Sequence, residues 1–264
     1  MGMLVTDMMH RRLTVPECPG RIVSVVPSQT ELLYSLGLDE EVIAITKFCI
    51  HPDQWFRSKQ RIGGTKKLHL QQILNLNPDL IIANKEENTQ AEIEWLAERV
   101  PVWISDIRTL PDALEMIRSV GALVCRAEQA NALAARIAAS FANIHVGNDP
   151  KRRERVAYFI WRDPWMAAGN DTFIDEMLRA GGWENAFASL SRYPELCAAD
   201  IRNAQPDRVF LSSEPYPFKE KHIAELQEIV PEARITLVDG ELFSWYGSRL
   251  LHSAAYFHSL RSLS

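Results

Sequence analysis

NLNPDLIIANKE, residues 75–86, is matched without a gap by NAQPDRVFLSSE, residues 203–214. Asn75, Pro78, Asp79 and Glu86 coincide with Asn203, Pro206, Asp207 and Glu214. Each copy reads in the same way. A helix end runs into a Pro-Asp turn, where proline presets the backbone and removes a donor. A short apolar run of buried-strand length follows, and then the chain opens into polar residues. One copy in each half argues for two related lobes, with Glu86 and Glu214 at matching strand tips. Ligands of open α/β sheets bind beyond the carboxyl ends of the strands, and clefts between lobes are favoured sites. The tips are therefore where a site is expected.

Working outward, short β-type runs alternate with helical patterns. Residues 21–26, 42–45, 80–83 and 102–104 read as strands, with helical stretches at 28–36, 68–76 and 89–99. Ser28 and Glu31 have capping-box spacing, in which the two side chains satisfy free amides at a helix start. From Leu110 to about His145, apolar residues recur at helical spacing with Gly121 as the only glycine and no proline after Pro111. This predicts one helix far longer than the usual ~10–14 residues; two packed helices broken near Gly121 are the alternative. After Pro150, residues 156–160, 208–211 and 235–238 read as strands and 172–180 and 247–261 as helices. The expected class is α/β: two lobes with mainly parallel sheets flanked by helices, 1–108 and 149–264, joined by one long rigid helix within 109–148.

The 264 residues are 47% hydrophobic and 24% charged, which are globular values. A net charge of -5 and a pI near 5.8 leave no basic footprint for nucleic acid. The basic run Lys151–Arg155 reads as a solvated linker. Cys18, Cys49, Cys125 and Cys197 form no C-x-x-C pair, which excludes a zinc-ribbon pattern and suggests no disulfide framework. Unpaired thiols favour a reducing compartment. No apolar run approaches membrane-spanning length, and the first twelve residues lack the pattern of a secretory leader. As written the chain reads as cytoplasmic; with a leader removed it would be extracytoplasmic.

At this point the residues resemble a known family, the helical-backbone (class III) substrate-binding proteins of ABC importers, which bind cobalamin, ferric siderophores, haem or metal ions. The stretches that carry the resemblance are RIVSVVPSQTELL (21–33), LNPDLII (76–82), the long helix, GNDTFIDEML (169–178) with Gly181-Gly182, and QPDRV (205–209). They cover nearly the whole chain and are nearest to the cobalamin-binding type. The resemblance implies a monomer that holds a small ligand between its lobes, with an ABC permease as partner. Such receptors present an acid on each lobe for docking; the corresponding positions here are Gln90 and Ala199, with Glu92 and Asp200 nearby.

Several residues could carry the chemistry. After the second strand, alternation puts Cys49 and His51 on one side of an extended backbone. Both are ligands for borderline metals, although two ligands do not close a site. Gly63-Gly64-Thr65-Lys66-Lys67 lacks the full phosphate-loop pattern, yet Lys66 could meet an anionic group. Asn84 and Glu86 open the first tip. In the second half Trp161 and Trp165, then Glu214 and Tyr216, then Trp245 and Arg249 follow successive strands, and indole rings usually cover something flat and apolar. The reading is a solute-binding protein for a corrinoid, haem, siderophore or divalent metal ion. The rivals are a cytoplasmic binding protein without a permease, a Cys49/His51-dependent enzyme, and a partner-binding scaffold.

Overall fold

The structure, a computed structural model, describes residues 2–144 and 153–262. The end of the expected connector, 145–148, and Lys151 and Arg152 of the basic run lie outside the described residues. The chain divides into two compact units. Unit 1 comprises the chain up to Ile107, Pro111–Ala138 and Tyr246–Arg249; unit 2 comprises Arg108–Leu110, Ala139–Trp245 and the residues from Leu250 onward.

Unit 1 opens with an antiparallel hairpin of β1 (Gly2–Thr6) and β2 (Arg12–Pro16), which the sequence pattern does not announce. Then come β3 (Ile22–Ser24), α1 (Pro27–Ser35), β4 (Val42–Ile45), α2 (Asp53–Ser58), β5 (Gln60–Arg61) and the small hairpin β6 (Gly63–Gly64) and β7 (Lys67–Leu68). α3 (Leu70–Asn75), β8 (Leu80–Asn84), α4 (Gln90–Ala97) and β9 (Val102–Ser105) follow. The main sheet has the order β5-β4-β3-β8-β9 and every pairing in it is parallel. Helices cover both faces of such a sheet, so its strands read as continuous apolar runs. All five residues of β8 are accordingly buried.

The expected single rod is two helices, α5 (Leu110–Leu123) and α6 (Ala127–Ala142). Cys125 adopts a left-handed φ of 57°, and the Arg126 amide donates to the Gly121 carbonyl at 2.7 Å. Gly121 is needed for close approach: a Cβ there would lie 2.1 Å from the Cβ of Ala130. The apolar spacing of a helical hairpin is the same as that of one long helix, which is why the pattern misleads. Cys125 is bonded to Cys18, 107 residues away, so the expectation of no disulfide is also corrected.

Unit 2 contains β10 (Arg155–Trp161), β11 (Trp165–Ala167), α7 (Phe173–Ala180), β12 (Glu184–Asn185), β13 (Glu195–Leu196) and α8 (Ala198–Asn203). β14 (Arg208–Ser212), α9 (Glu220–Ile229), β15 (Arg234–Val238), α10 (Glu241–Ser244) and α11 (Leu250–Ser262) complete it. β10, β14 and β15 pair in parallel, while β11 and β13 add an antiparallel edge. One face packs Phe159, Leu211, Phe218 and Leu226; on the other, Trp183, Phe210, Phe243 and Phe257 meet ring to ring.

The internal repeat is structural as well as textual. Asn77 and Gln205, at equivalent positions, have left-handed φ values of 46° and 45°. Asp79 donates its amide to Arg21 O at 2.8 Å and accepts from Gly20 N at 3.0 Å. Asp207 likewise donates to Arg155 O at 2.9 Å and accepts from Arg155 N at 2.7 Å. Each aspartate thus ties the start of its strand to the neighbouring strand. At the other end Lys85 N donates to Ser105 O, and Ser213 N to Val238 O. Both strand tips are therefore held at the carboxyl edge of their sheets.

Candidate functional site

In unit 1 the tip after β8 is organised by two buried asparagines. Asn84 Oδ1 accepts from the amides of Glu86 (2.8 Å) and Glu87 (3.0 Å), and its Nδ2 donates to Ser105 Oγ at 3.0 Å. Asn88 Oδ1 accepts from Asn84 N, and its Nδ2 donates to Val25 O and Thr65 O. Buried polar groups must find partners, and here they fold the tip into a tight turn. The Asn84 side chain is thus engaged in holding the turn. Lys66 Nζ donates to Glu86 O at 2.6 Å, so it also fastens this turn, and Lys85 pairs with Asp106 at 2.6 Å. Glu87 accepts from the Tyr246 hydroxyl at 2.6 Å. Burial, with the Glu87 charge beside it, holds that hydroxyl well above its usual range and therefore protonated.

The segment after β4 places its residues differently from the expected pairing. Cys49 is fully buried, with its Sγ 3.1 Å from both Thr30 Oγ1 and Thr46 Oγ1. Burial pushes its thiol up to about 11, against the smaller opposite pull of the threonine hydroxyls. Thiolate is the species that attacks or ligates, so a neutral thiol in the core does neither at physiological pH. His51 is half-buried. What the segment does present is Phe48, 52% exposed, and Ile50, 44% exposed. The alternation that pairs Cys49 with His51 equally puts Phe48 and Ile50 on the opposite side, and that side is the exposed one. Gly64 supports Phe48 from behind, since a Cβ there would come within 2.9 Å of the Phe48 ring.

Arg249 does not join the second aromatic wall. It belongs to unit 1, where its guanidinium forks onto Glu31, Nη2 to Oε1 at 2.7 Å and Nε to Oε2 at 3.1 Å. The capping box is corrected with it: Pro27 occupies the first turn of α1, no side chain caps the helix, and Glu31 is turned to the arginine.

In unit 2 the tips of β10 and β14 place Trp161 beside Tyr216, with ring centroids 5.5 Å apart and edge to face. Trp161 is 40% exposed. Tyr216 is half-buried and its hydroxyl lies 3.2 Å from His222 Nε2. Trp165 is buried, stacked on Phe218 at 6.1 Å and covered by the Arg162 guanidinium at 4.3 Å. Trp245 is also buried and donates its Nε1 to Glu214 Oε1 at 2.9 Å. Trp165 and Trp245 therefore support the surface that Trp161 and Tyr216 offer.

Glu214 also accepts from Ser244 Oγ at 2.7 Å. Burial raises its pKa above the ordinary glutamate range; the hydrogen bonds from Ser244 and Trp245 lower it, and the nearby Glu241 and Asp239 charges raise it. A carboxyl whose folded pKa is raised contributes stability at low pH that disappears as pH climbs through the folded value. The fold thus disfavours the charged form of Glu214. Glu214→Gln keeps an acceptor for Ser244 and Trp245 and removes the charge. It should raise the melting temperature at pH 7–8 and flatten its decline above the glutamate range. Thermal melts between pH 4 and 8 that match the wild type at every pH would refute this.

Comparison with known proteins decides the family. Residues 22–232 match the periplasmic binding protein family. The chain belongs to that family. A relative named vitamin B12-binding protein from Pectobacterium carotovorum is 26% identical over 89% of this chain and 86% of its own length. An ABC transporter substrate-binding lipoprotein of Bacillus subtilis, described as uncharacterised, is 23% identical over 213 residues, 78% of this chain and 67% of its own length. The crystal structure of the periplasmic vitamin B12 binding protein BtuF of Vibrio cholerae superposes with a TM-score of 0.75 at 19% identity, covering 94% of this chain and 100% of that one. At that identity the last match speaks for the two-lobed fold alone. This periplasmic binding protein is a binder rather than an enzyme, and the neutral Cys49 agrees with that. The cytoplasmic reading is overturned: the chain matches the periplasmic binding protein family, a relative is a lipoprotein, and the Cys18–Cys125 bond suits an oxidising compartment.

Proposed function

We propose that this periplasmic binding protein takes a corrinoid, held by flat apolar contacts rather than by metal ligation. The observation that carries this reading is the character of the exposed side chains at the carboxyl edges. Unit 1 offers Phe48 and Ile50, and unit 2 offers Trp161 with Tyr216 behind it. A corrinoid brings its cobalt already held by the macrocycle and asks the protein for cover and a few hydrogen bonds. A bare metal ion needs a closed donor set. Among the described residues no group of three His, Cys, Asp or Glu could hold one. Haem asks for an axial ligand; His51 is the one candidate beside the exposed pair, while Cys49 lies inside. The vitamin B12-binding relatives, aligned over most of the chain, support the same choice.

Titration with cyanocobalamin, followed by absorbance and by calorimetry, tests the proposal, with haemin and zinc run in parallel. Covering the exposed part of the Trp161 ring contributes about 1–2 kcal/mol, so Trp161→Ala should weaken cyanocobalamin roughly 5- to 30-fold. Cys49→Ser should leave the affinity within about twofold. Binding of haemin or zinc without cyanocobalamin would sink the proposal.

We further infer that a permease, if it is the partner, does not grip Glu92 or Asp200. Glu92 Oε2 accepts from Leu68 N at 2.9 Å, and Asp200 Oδ2 accepts from Cys197 N at 2.8 Å. Gln90 donates to Glu94 Oε1 at 2.7 Å, and Ala199 carries no charge at all. Charge reversal at Glu92 and Asp200 should therefore disturb local folding without changing coupling to a transporter in reconstituted vesicles. Loss of coupling with unchanged melting would count against it.

A further inference from the structure

His222 is buried in the first turn of α9, and its two ring nitrogens have different neighbours. Lys219 N donates to Nδ1 at 2.9 Å, so Nδ1 is the acceptor nitrogen. The Lys219 carbonyl, 3.2 Å from Nδ1, already accepts from His222 N at 2.9 Å, and a hydrogen on Nδ1 would run into the Lys219 N–H. The ring hydrogen is therefore on Nε2, which lies 3.2 Å from the Tyr216 hydroxyl. With Nε2–H donating, Tyr216 Oη is the acceptor in that bond and its own hydrogen points elsewhere. Among the described residues nothing takes that hydrogen. Tyr216 Oη has no second partner, and Glu225, the α9 acid near His222, is held by Arg162 Nε at 2.8 Å.

The hydroxyl is also fixed in place and open. The Tyr216 ring meets Trp161, Phe218 and His222 edge to face, with centroids 5.5, 4.9 and 5.4 Å apart, so it cannot swing away. Tyr216 is half-buried and its bond to the buried His222 is only partly covered, which makes the hydroxyl the accessible end. We propose that His222 is a positioning residue that fixes Tyr216 as a hydrogen-bond donor to the ligand. The unit 2 surface then selects ligands that carry a carbonyl oxygen at the rim of a flat apolar body. This rests on the reading that Trp161 and Tyr216 meet the ligand. The side-chain amides around a corrin ring supply such oxygens, and a ligand without one leaves the donor unpaired against it, which is the costly outcome.

Long-range proton–nitrogen spectra of the labelled whole chain, at about pH 8, should show the His222 ring with Nδ1 bare and Nε2 protonated. In cyanocobalamin titrations Tyr216→Phe, which keeps the ring contacts, should bind roughly 3- to 10-fold more weakly. His222→Asn leaves an oxygen for the Lys219 amide but is too short to reach Tyr216, whose hydrogen is then free to turn away. It should weaken binding about threefold on its own and not at all in the Tyr216→Phe background, since it acts only through the hydroxyl. A purely structural His222 would weaken both backgrounds alike. A hydrogen on Nδ1, an unchanged affinity in Tyr216→Phe, or equal losses in both backgrounds would each overturn the proposal. The Tyr216→Phe titration decides even where His222→Asn fails to fold. A wild type that does not bind cyanocobalamin would sink the corrinoid reading, and this inference with it.

Discussion

Reduction of the Cys18–Cys125 bond, or replacement of both cysteines by serine, should lower the melting temperature of unit 1 by roughly 10–20 °C. The bond joins residues 107 apart in sequence. Closing a loop of that length removes about 4–5 kcal/mol of chain entropy from the unfolded state. Cys18 sits in the segment between β2 and β3, and Cys125 in the turn between α5 and α6, so the bond pins the helical hairpin to the start of the main sheet. The Arg126–Glu41 pair at 3.0 Å holds the same turn, but it is partly exposed and contributes little alone. Calorimetry with and without reductant reads the effect. Unit 2 has its own core and, apart from Arg108–Leu110, lies outside the closed loop, so its transition serves as an internal reference. An unchanged unit 1 transition after complete reduction would show that the bond is ornamental, and would weaken the argument from it to an oxidising compartment.

The parallel strands were legible because burial on both faces leaves no choice of residue. Val42–Ile45 is the expected strand to the residue, and β8 and β14 differ from expectation only in one added residue each at the tip. The repeat was legible because a left-handed residue followed by Pro-Asp is a local, sequence-encoded turn. The helix break was legible only as the alternative near Gly121. Cys125 is neither glycine nor proline, and its left-handed backbone is held by a bond to a residue 107 positions away. The antiparallel edge of unit 2 was missed for a related reason: β11 and β13 are three and two residues long, too short to show a period.

The site was half legible. Trp161, Trp165, Glu214, Tyr216 and Trp245 were singled out as polar and aromatic residues following strands, and they do gather at one edge of one sheet. Which of them is exposed was not readable, because it depends on what covers each ring. Trp165 disappears under Arg162 and against Phe218, and Trp245 is held down by Glu214. Arg249 shows the same limit in ionic form. A cation near aromatic residues reads as a ligand contact until its partner, 218 residues earlier in the chain, is seen.

Arg249→Ala should therefore cost stability rather than affinity, by about 3 kcal/mol. The guanidinium and the Glu31 carboxylate are only 16% and 21% exposed, so neither is well solvated when its partner is gone. The planar fork matches the carboxylate at both oxygens, which lysine cannot reproduce. Arg249 also ends the Tyr246–Arg249 segment, whose Gly247 lies so close to α1 that a Cβ would sit 2.6 Å from the Ser28 carbonyl oxygen. Losing the fork loosens a contact that admits no side chain. Replacing both partners with apolar groups, Glu31→Leu with Arg249→Met, strands no charge and should recover most of the loss. Urea melts of the two single variants and the double variant give the coupling directly. A double variant no more stable than Arg249→Ala would show that the cost comes from lost packing of the arginine stem, and weaker cyanocobalamin binding with an unchanged melt would return Arg249 to the ligand.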